Sequence, residues 1–285
     1  MTKSDGLLAA HGEQTRGAPP NLPAGVRAER DGPVTRLVGR HRGLVTAPPD
    51  TGMRGEELDR LIARQRDHFA ARGEPVEWKT YGHDRPGDLT GRLRAAGFVP
   101  EERETVMVGR TGSVAASEPP AGVVLRGVGE DADLRRIADM QSRVWGQDWG
   151  WLAGELADRI AADPDGLFVM VAETDGEVVS AAWLELREGT EFAGLWGGST
   201  LPGWRGRGIY RALVAARARV AAARGVRYLQ VDASEDSAPV LRRLGFEAVT
   251  TTTPYVWTPP GGRARGEADA DGAGGGTVTA GPATS

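Results

Sequence analysis

The sequence predicts an α/β (α+β) fold, with a mixed and mainly antiparallel central sheet flanked by helices, present once in full and once in truncated form. Three observations predict it. Between residues 167 and 200 three apolar strands follow one another. The first two are joined by the hairpin signal Thr174-Asp175-Gly176-Glu177, which reads as an antiparallel meander. After the meander, Ile209, Leu213, Ala216, Val220 and Ala223 recur at helical spacing, and Gly225 ends the run. The same local order then appears twice: Ala-Ala-Arg-Gly, a strand, a short helix, Gly-Phe and a strand, at 70–108 and again at 222–257. Two matches in one order point to an internal duplication.

The first block opens with a helix over 56–72, whose face carries Leu58, Ile62, Gln65 and Phe69 and whose end is marked by Gly73. A strand at 76–81, a short helix carrying Leu89, Leu93 and Ala96, and a strand at 105–108 complete it. The second block begins with a strand at 123–126. Leu134, Ile137 and Val144 mark one helix, and Leu152, Leu156 and Ile160 a second. Strands at 167–173, 178–186 and 192–200 precede the long helix; a strand at 226–232, a short helix with Val240, Leu241 and Leu244, and a strand at 248–257 follow it. The stretches 1–26 and 259–285 are rich in Gly, Pro and polar residues and hold too little apolar surface to offset the entropy of ordering. The division expected is an unstructured leader at 1–26, a truncated domain at 27–108, a linker at 109–122, a complete domain at 123–258 and an unstructured tail at 259–285.

Composition narrows the chemistry. The 285 residues carry a formal charge of −4, which argues against a protein built to coat nucleic acid or an anionic membrane. With no cysteine, disulfides, thiolate metal sites and a cysteine acyl-enzyme are excluded. The four histidines all lie in the first third, so no metal site is expected. No run approaches the roughly 20 apolar residues of a membrane span, and a cytoplasmic protein is expected.

The segment Leu201-Pro202-Gly203-Trp204-Arg205-Gly206-Arg207-Gly208-Ile209-Tyr210 lies between a strand and a helix N-terminus. Glycines let backbone approach a phosphate there, the first-turn N–H groups point at it, and Arg205 and Arg207 add charge. The Lys-Ser/Thr pair of a Walker loop is missing, and a Rossmann fingerprint would follow the first strand of a parallel unit, not a meander.

In that place, Arg205-Gly206-Arg207-Gly208-Ile209-Tyr210 resembles the acyl-CoA loop of the GNAT superfamily, Arg/Gln-x-x-Gly-x-Gly/Ala, except that Tyr210 stands where Gly or Ala is usual. The resemblance covers about 123–257, with a truncated echo over 27–108. It implies an N-acetyltransferase that moves an acetyl or other acyl group from acetyl-CoA, its co-substrate, to a primary amine. Arg205, Gly206, Arg207, Gly208, Ile209 and Tyr210 would hold the pyrophosphate, and a backbone N–H at Thr200 or Leu201 would polarise the thioester carbonyl. The acceptor would be a small-molecule or peptide amine, with no nucleic acid, membrane or metal involved. The protein would be a monomer, as an internal pseudo-dimer, or a homodimer. A catalytically inactive acyl-CoA-binding sensor or interaction protein is the alternative, motivated by Tyr210 in the loop and by Leu241, where the family's usual acid tyrosine would stand; the family's asparagine falls on Ser234.

Candidate catalytic groups are Glu185, Asp232 and Ser234. For both carboxylates an ordinary strand-end role is the plainer reading, and for Ser234 helix capping is. Trp145, Trp149 and Trp151 cluster where the family builds its acceptor pocket, although ordinary core packing is the plainer reading for at least two of them. Arg211, Arg217, Arg219 and Arg224 read as a solvated helix face, and His83 as a turn residue. The first block lacks the glycine-rich loop and is expected to have no acyl-CoA site of its own.

Overall fold

The computed structural model describes residues 3–19 and 22–260. The chain runs through α1 (Lys3–Thr15), β1 (Arg27–Asp31), β2 (Val34–Val38), β3 (Gly43–Thr46), α2 (Gly55–Arg72), β4 (Val76–Tyr81), α3 (Leu89–Ala95) and β5 (Val99–Pro100). It continues through β6 (Glu104–Arg110), β7 (Val124–Val128), α4 (Asp131–Trp145), α5 (Trp151–Ala162), β8 (Leu167–Thr174), β9 (Glu177–Leu186) and β10 (Phe192–Thr200). The remaining elements are α6 (Ile209–Ala223), β11 (Tyr228–Ala233), α7 (Ser237–Arg243) and β12 (Glu247–Trp257). Two compact units result: 3–19, 25–105 and 249–260 form the first, 22–24 and 106–248 the second.

This division differs from the linear one at 109–122. From Val249 onward the last strand of the chain belongs to the first unit, where β12 pairs antiparallel with β4, Thr252 opposite Tyr81 and Trp257 opposite Val76. The cause is burial: Tyr255, 3% exposed, joins Trp78, Phe98 and Leu93 in that unit's core. The expected linker is also partly tied down, since Thr111 Oγ1 donates to Val226 O at 2.8 Å and Ala115 N–H to Leu244 O at 3.2 Å. The expected tail lies outside the described residues from 261 on.

In the first unit, β1, β2 and β3 form antiparallel pairs and β3 runs parallel to β4 through α2. Leu58, Leu61, Ile62 and Phe69 of α2 are fully buried, each contributing about 1.5–3 kcal/mol. A Cβ at Gly43 would meet the Phe69 ring at 2.0 Å, so only glycine lets α2 lie this close to β3.

The leader expected to be unstructured forms α1. Its own sequence offers little helical signal. What orders it is burial of Leu7 (4% exposed) and His11 (0%), and the buried Arg16 just beyond its end. The Arg16 guanidinium lies 4.1 Å from the Tyr81 ring centre and donates to Asp84 Oδ1 (2.6 Å), Ala47 O (3.3 Å) and His83 Nε2 (2.8 Å). His83 Nδ1 is 2.9 Å from Thr250 Oγ1, and His11 packs edge-on to Tyr81. Burial, then the charge of Arg16, hold the His83 pKa below its usual 6.5, with Asp84 pulling the other way.

The docked form therefore keeps His83 neutral. As the pH falls below about 6.5, a state with α1 released takes up a proton that the docked state refuses, so docking weakens. Hydrogen exchange of residues 3–16, corrected for its intrinsic pH dependence, is expected to reveal more frequent opening at pH 5.5 than at 7.5. His83→Gln is expected to flatten that dependence. An opening free energy independent of pH in the unsubstituted protein would refute this.

The second unit holds the sheet β6-β11-β10-β9-β8-β7. The pairs β7–β8, β8–β9 and β9–β10 are antiparallel, and β10–β11 is parallel with α6 between them. Each unit thus contains one parallel strand–helix–strand step. Asp175, at φ 47°, makes the expected β8–β9 turn with Gly176.

Candidate functional site

The site begins where a sheet comes apart. β10 and β11 pair only at Phe192–Tyr228, Ala193–Leu229 and Gly194–Gln230, although β10 runs on to Thr200 and β11 to Ala233. Beyond Gly194 a wedge opens between them, bordered by backbone that β11 no longer satisfies. A bulge in β10 helps to turn it away: Gly197 and Gly198 stand opposite the single residue Ala182 of β9. Gly197 has φ 66°, and the Trp183 ring lies where its Cβ would be, 1.9 Å at the nearest atom.

Two buried polar side chains hold the bulge. Gln141 of α4 (0% exposed) donates to Gly197 O at 3.3 Å and accepts from Ser199 Oγ at 2.6 Å and from Trp145 Nε1 at 2.9 Å. Arg217 of α6 (1% exposed) donates through Nη1 to Trp183 O (2.9 Å) and Trp196 O (3.3 Å), and through Nε to Leu213 O (3.2 Å). Burial brings the Arg217 pKa down to about 10, opposed by Tyr210. Its place in the core corrects the expectation of a solvated face: it falls on the stripe of Tyr210, Val214 and Ala221, which turns toward the sheet.

At the end of β10, the Leu201 N–H donates to Val179 O at 2.9 Å. It is engaged within the sheet, which corrects its candidacy as the group that polarises a carbonyl. The alternation of an antiparallel ladder aims the neighbouring Thr200 N–H away from β9, into the wedge. The Thr200 hydroxyl lies 2.9 Å from that of Ser180, and its carbonyl accepts from Arg205 Nε at 3.1 Å.

The mouth of the wedge is the glycine-rich loop. A single 3-10 turn, Pro202–Trp204, leads to Arg205, Gly206 at φ 73°, Arg207 and Gly208 at φ 88°. The last of these caps α6 in a left-handed conformation suited to glycine, with no side-chain cap bond among the described residues. Those groups, with Arg205 partly buried and Arg207 exposed 4.5 Å from the Trp204 ring centre, make an anion cradle. Ile209 is buried at 1% exposure. Tyr210 turns inward, its ring 2.9 Å from where a Gly198 Cβ would stand. Burial pushes its phenol pKa up to about 12, opposed by the Arg217 charge.

The remaining candidates are placed as follows. Asp232 is buried (3% exposed) on the part of β11 past its pairing with β10, so it stands on the far wall of the wedge. Gln230 and Asp232 alternate with Leu229, Val231 and Ala233, which pack in the same cluster as Tyr210, and so take the opposite face of the strand. Glu185 is in an ion pair with Arg159 at 2.5 Å. Ser234 Oγ accepts the Ser237 N–H at 3.3 Å in the turn into α7. Leu241 is in the core at 0% exposure. Trp145, Trp149 and Trp151 form a stack, with ring centres 6.4 and 5.2 Å apart. Sequence reasoning missed Gln141, Ser180, Ser199 and the Gly197-Gly198 bulge. A Gly-Gly pair inside an apolar strand is the signal that marks such a bulge.

Comparison with known proteins fits this geometry. The family model described as "Acetyltransferase (GNAT) family" matches residues 133–246. No curated protein matches the chain. Among solved structures, a GCN5-related N-acetyltransferase from Kribbella flavida is similar at 18% identity and TM-score 0.66, over 93% of this chain and 99% of that one. A tandem GNAT protein from the clavulanic acid biosynthesis pathway matches at 16% identity and TM-score 0.61, over 89% and 93%. A GCN5-related N-acetyltransferase from Sphaerobacter thermophilus matches at 19% and 0.57, over 90% and 92%. Residues 133–246 thus match the acetyltransferase (GNAT) family model, and most of the chain shares the fold of these solved structures.

Proposed function

We propose that the protein is an acyl-CoA-dependent N-acetyltransferase acting on a primary amine of a small molecule or peptide. The observation that carries this reading is the separation of β10 from β11 beyond Gly194, with the Arg205–Gly208 loop at its mouth. The loop N–H groups and the guanidinium of Arg205 receive the pyrophosphate, and the pantetheine arm enters the wedge along the Thr200 backbone. The amine nitrogen attacks the thioester carbon, the C–S bond breaks, and the products are an amide and the CoA thiol, which takes up the proton that the amine loses. Holding the two reactants together supplies much of the rate. The Trp145–Trp149–Trp151 stack is the proposed acceptor wall. Asp232 is assigned to the amine proton because it stands on β11 past its pairing with β10, on the wall of the wedge; Glu185 and Ser234 are the other candidates. Among the described residues no helix is long and apolar enough to cross a membrane.

Calorimetry tests the reading. The unsubstituted protein is expected to bind acetyl-CoA saturably, and Gly208→Asp, which sets a carboxylate in the cradle, to weaken binding at least ~100-fold while remaining folded. Folded protein that binds neither acetyl-CoA nor longer acyl-CoAs would overturn it. The burial of Leu241, which offers no proton to a departing thiolate, favours a second reading as a non-catalytic acyl-CoA sensor. Tight binding with no thiol release across a broad amine panel would select that one.

A further inference from the structure

We propose that Tyr210 and Gly198 together set the acyl-chain length of the donor, closing the deep end of the wedge to groups longer than two or three carbons; this rests on the reading of the wedge as an acyl-CoA site. The loop at the mouth fixes where the donor enters, and the apex at Gly194–Gln230 fixes where it must stop. An arm that passes Thr200 delivers its acyl end to the backbone next in line toward the apex. Gly198 stands there, two residues or roughly 7 Å deeper at the rise of a strand.

That position is bare on the strand side and occupied from the helix side. Gly198 presents no side chain, and the Tyr210 ring fills the volume its Cβ would use, with Cε2 at 2.9 Å and Cδ2 at 3.5 Å from it. The ring is not free to leave. It packs against the hydrophobic cluster that includes Val214, Leu195 and Leu229, and the same helix is anchored two turns later by Arg217, bonded to carbonyls of both β9 and β10. Seven of the fifteen residues of α6 are alanine, and Tyr210 is its only aromatic side chain, so the ring at the second helical position is the feature that narrows the wedge. Its hydroxyl is not required for this role; its bulk is.

The test is a calorimetric series with CoA, acetyl-CoA, butyryl-CoA and hexanoyl-CoA, read as the ratio of hexanoyl-CoA to acetyl-CoA affinity. The unsubstituted protein is expected to disfavour hexanoyl-CoA by at least ~10-fold, the scale on which an apolar pocket discriminates by size. Tyr210→Ala is expected to raise the ratio by at least ~10-fold, and Tyr210→Phe to leave it where it was. Gly198→Ala, which narrows the same space from the strand side, is expected to lower it, and provides the answer should Tyr210→Ala not fold. Equal affinity for the two donors in the unsubstituted protein overturns the proposal alone, as does a ratio that neither Tyr210→Ala nor Gly198→Ala moves. Failure of folded protein to bind CoA in any form overturns the reading of the site, and this proposal with it.

Discussion

Gly197→Ala is expected to cost about 2–5 kcal/mol of stability and to take acyl-CoA binding with it. Two penalties add. A non-glycine residue at φ 66° leaves the right-handed regions at about 1–2 kcal/mol. The new Cβ would also stand 1.9 Å from Cζ3 and 2.2 Å from Cη2 of Trp183, a ring 2% exposed whose displacement costs about 1–3 kcal/mol more. Relief comes only by straightening the bulge or expelling the indole, and either one redraws the wedge. Gly203→Ala is the control, since its Cβ meets nothing within 4 Å. Urea midpoints compare the two. Equal midpoints would show that the bulge tolerates a side chain and does not hold β10 in place.

The parts of this molecule that were legible in sequence are those whose physics is local. The anion cradle needs glycines at two left-handed positions and a helix start, and Gly206 and Gly208 announce both. The helices of the second unit were readable because Leu134, Ile137, Leu152 and Leu156 bury at the spacing their sequence displays. Arg217 was misread for an instructive reason. Counting arginines along α6 suggests a wet face, whereas counting positions places Arg217 seven residues after Tyr210, on a stripe that includes Val214 and Ala221. Position on the helix outweighs residue type when enough carbonyl oxygens are at hand.

What stayed hidden depends on contacts between distant segments. Nothing within residues 3–15 makes a strong helix; α1 exists because Leu7 and His11 find a core and Arg16 finds Asp84, some 68 residues away. The composition of the first unit was hidden for the same reason. Sequence blocks are contiguous, but β4 takes its partner from residues 252–257, chosen by the fit of Tyr255 among Trp78 and Phe98 and not by proximity along the chain. Likewise the two residues that hold the wedge open, Gln141 and Arg217, carry no motif, because each acts on backbone carbonyls that any sequence would offer.

Arg217→Ala is expected to destabilise the protein by about 3–5 kcal/mol, the cost of leaving a buried polar cluster without its partner. Keeping the guanidinium charged in the core is itself unfavourable. A pKa brought from the usual arginine range down to about 10 corresponds to roughly 3 kcal/mol at about 1.4 kcal/mol per unit. That penalty is offset because one side chain satisfies the carbonyls of Leu213, Trp183 and Trp196, the last two facing each other across β9 and β10 just before the bulge. Alanine removes the charge but strands those oxygens and leaves a cavity, so the loss exceeds the relief. Lysine supplies one donor group at the end of a flexible chain and cannot span the same two strands, so Arg217→Lys is expected to fall between the two in denaturant midpoint. Acetyl-CoA affinity should fall in the same order, because the wedge depends on the bulge these bonds hold. If Arg217→Ala binds acetyl-CoA as tightly as the unsubstituted protein while losing stability, Arg217 serves the core alone, and Gln141 is left as the residue that shapes the site.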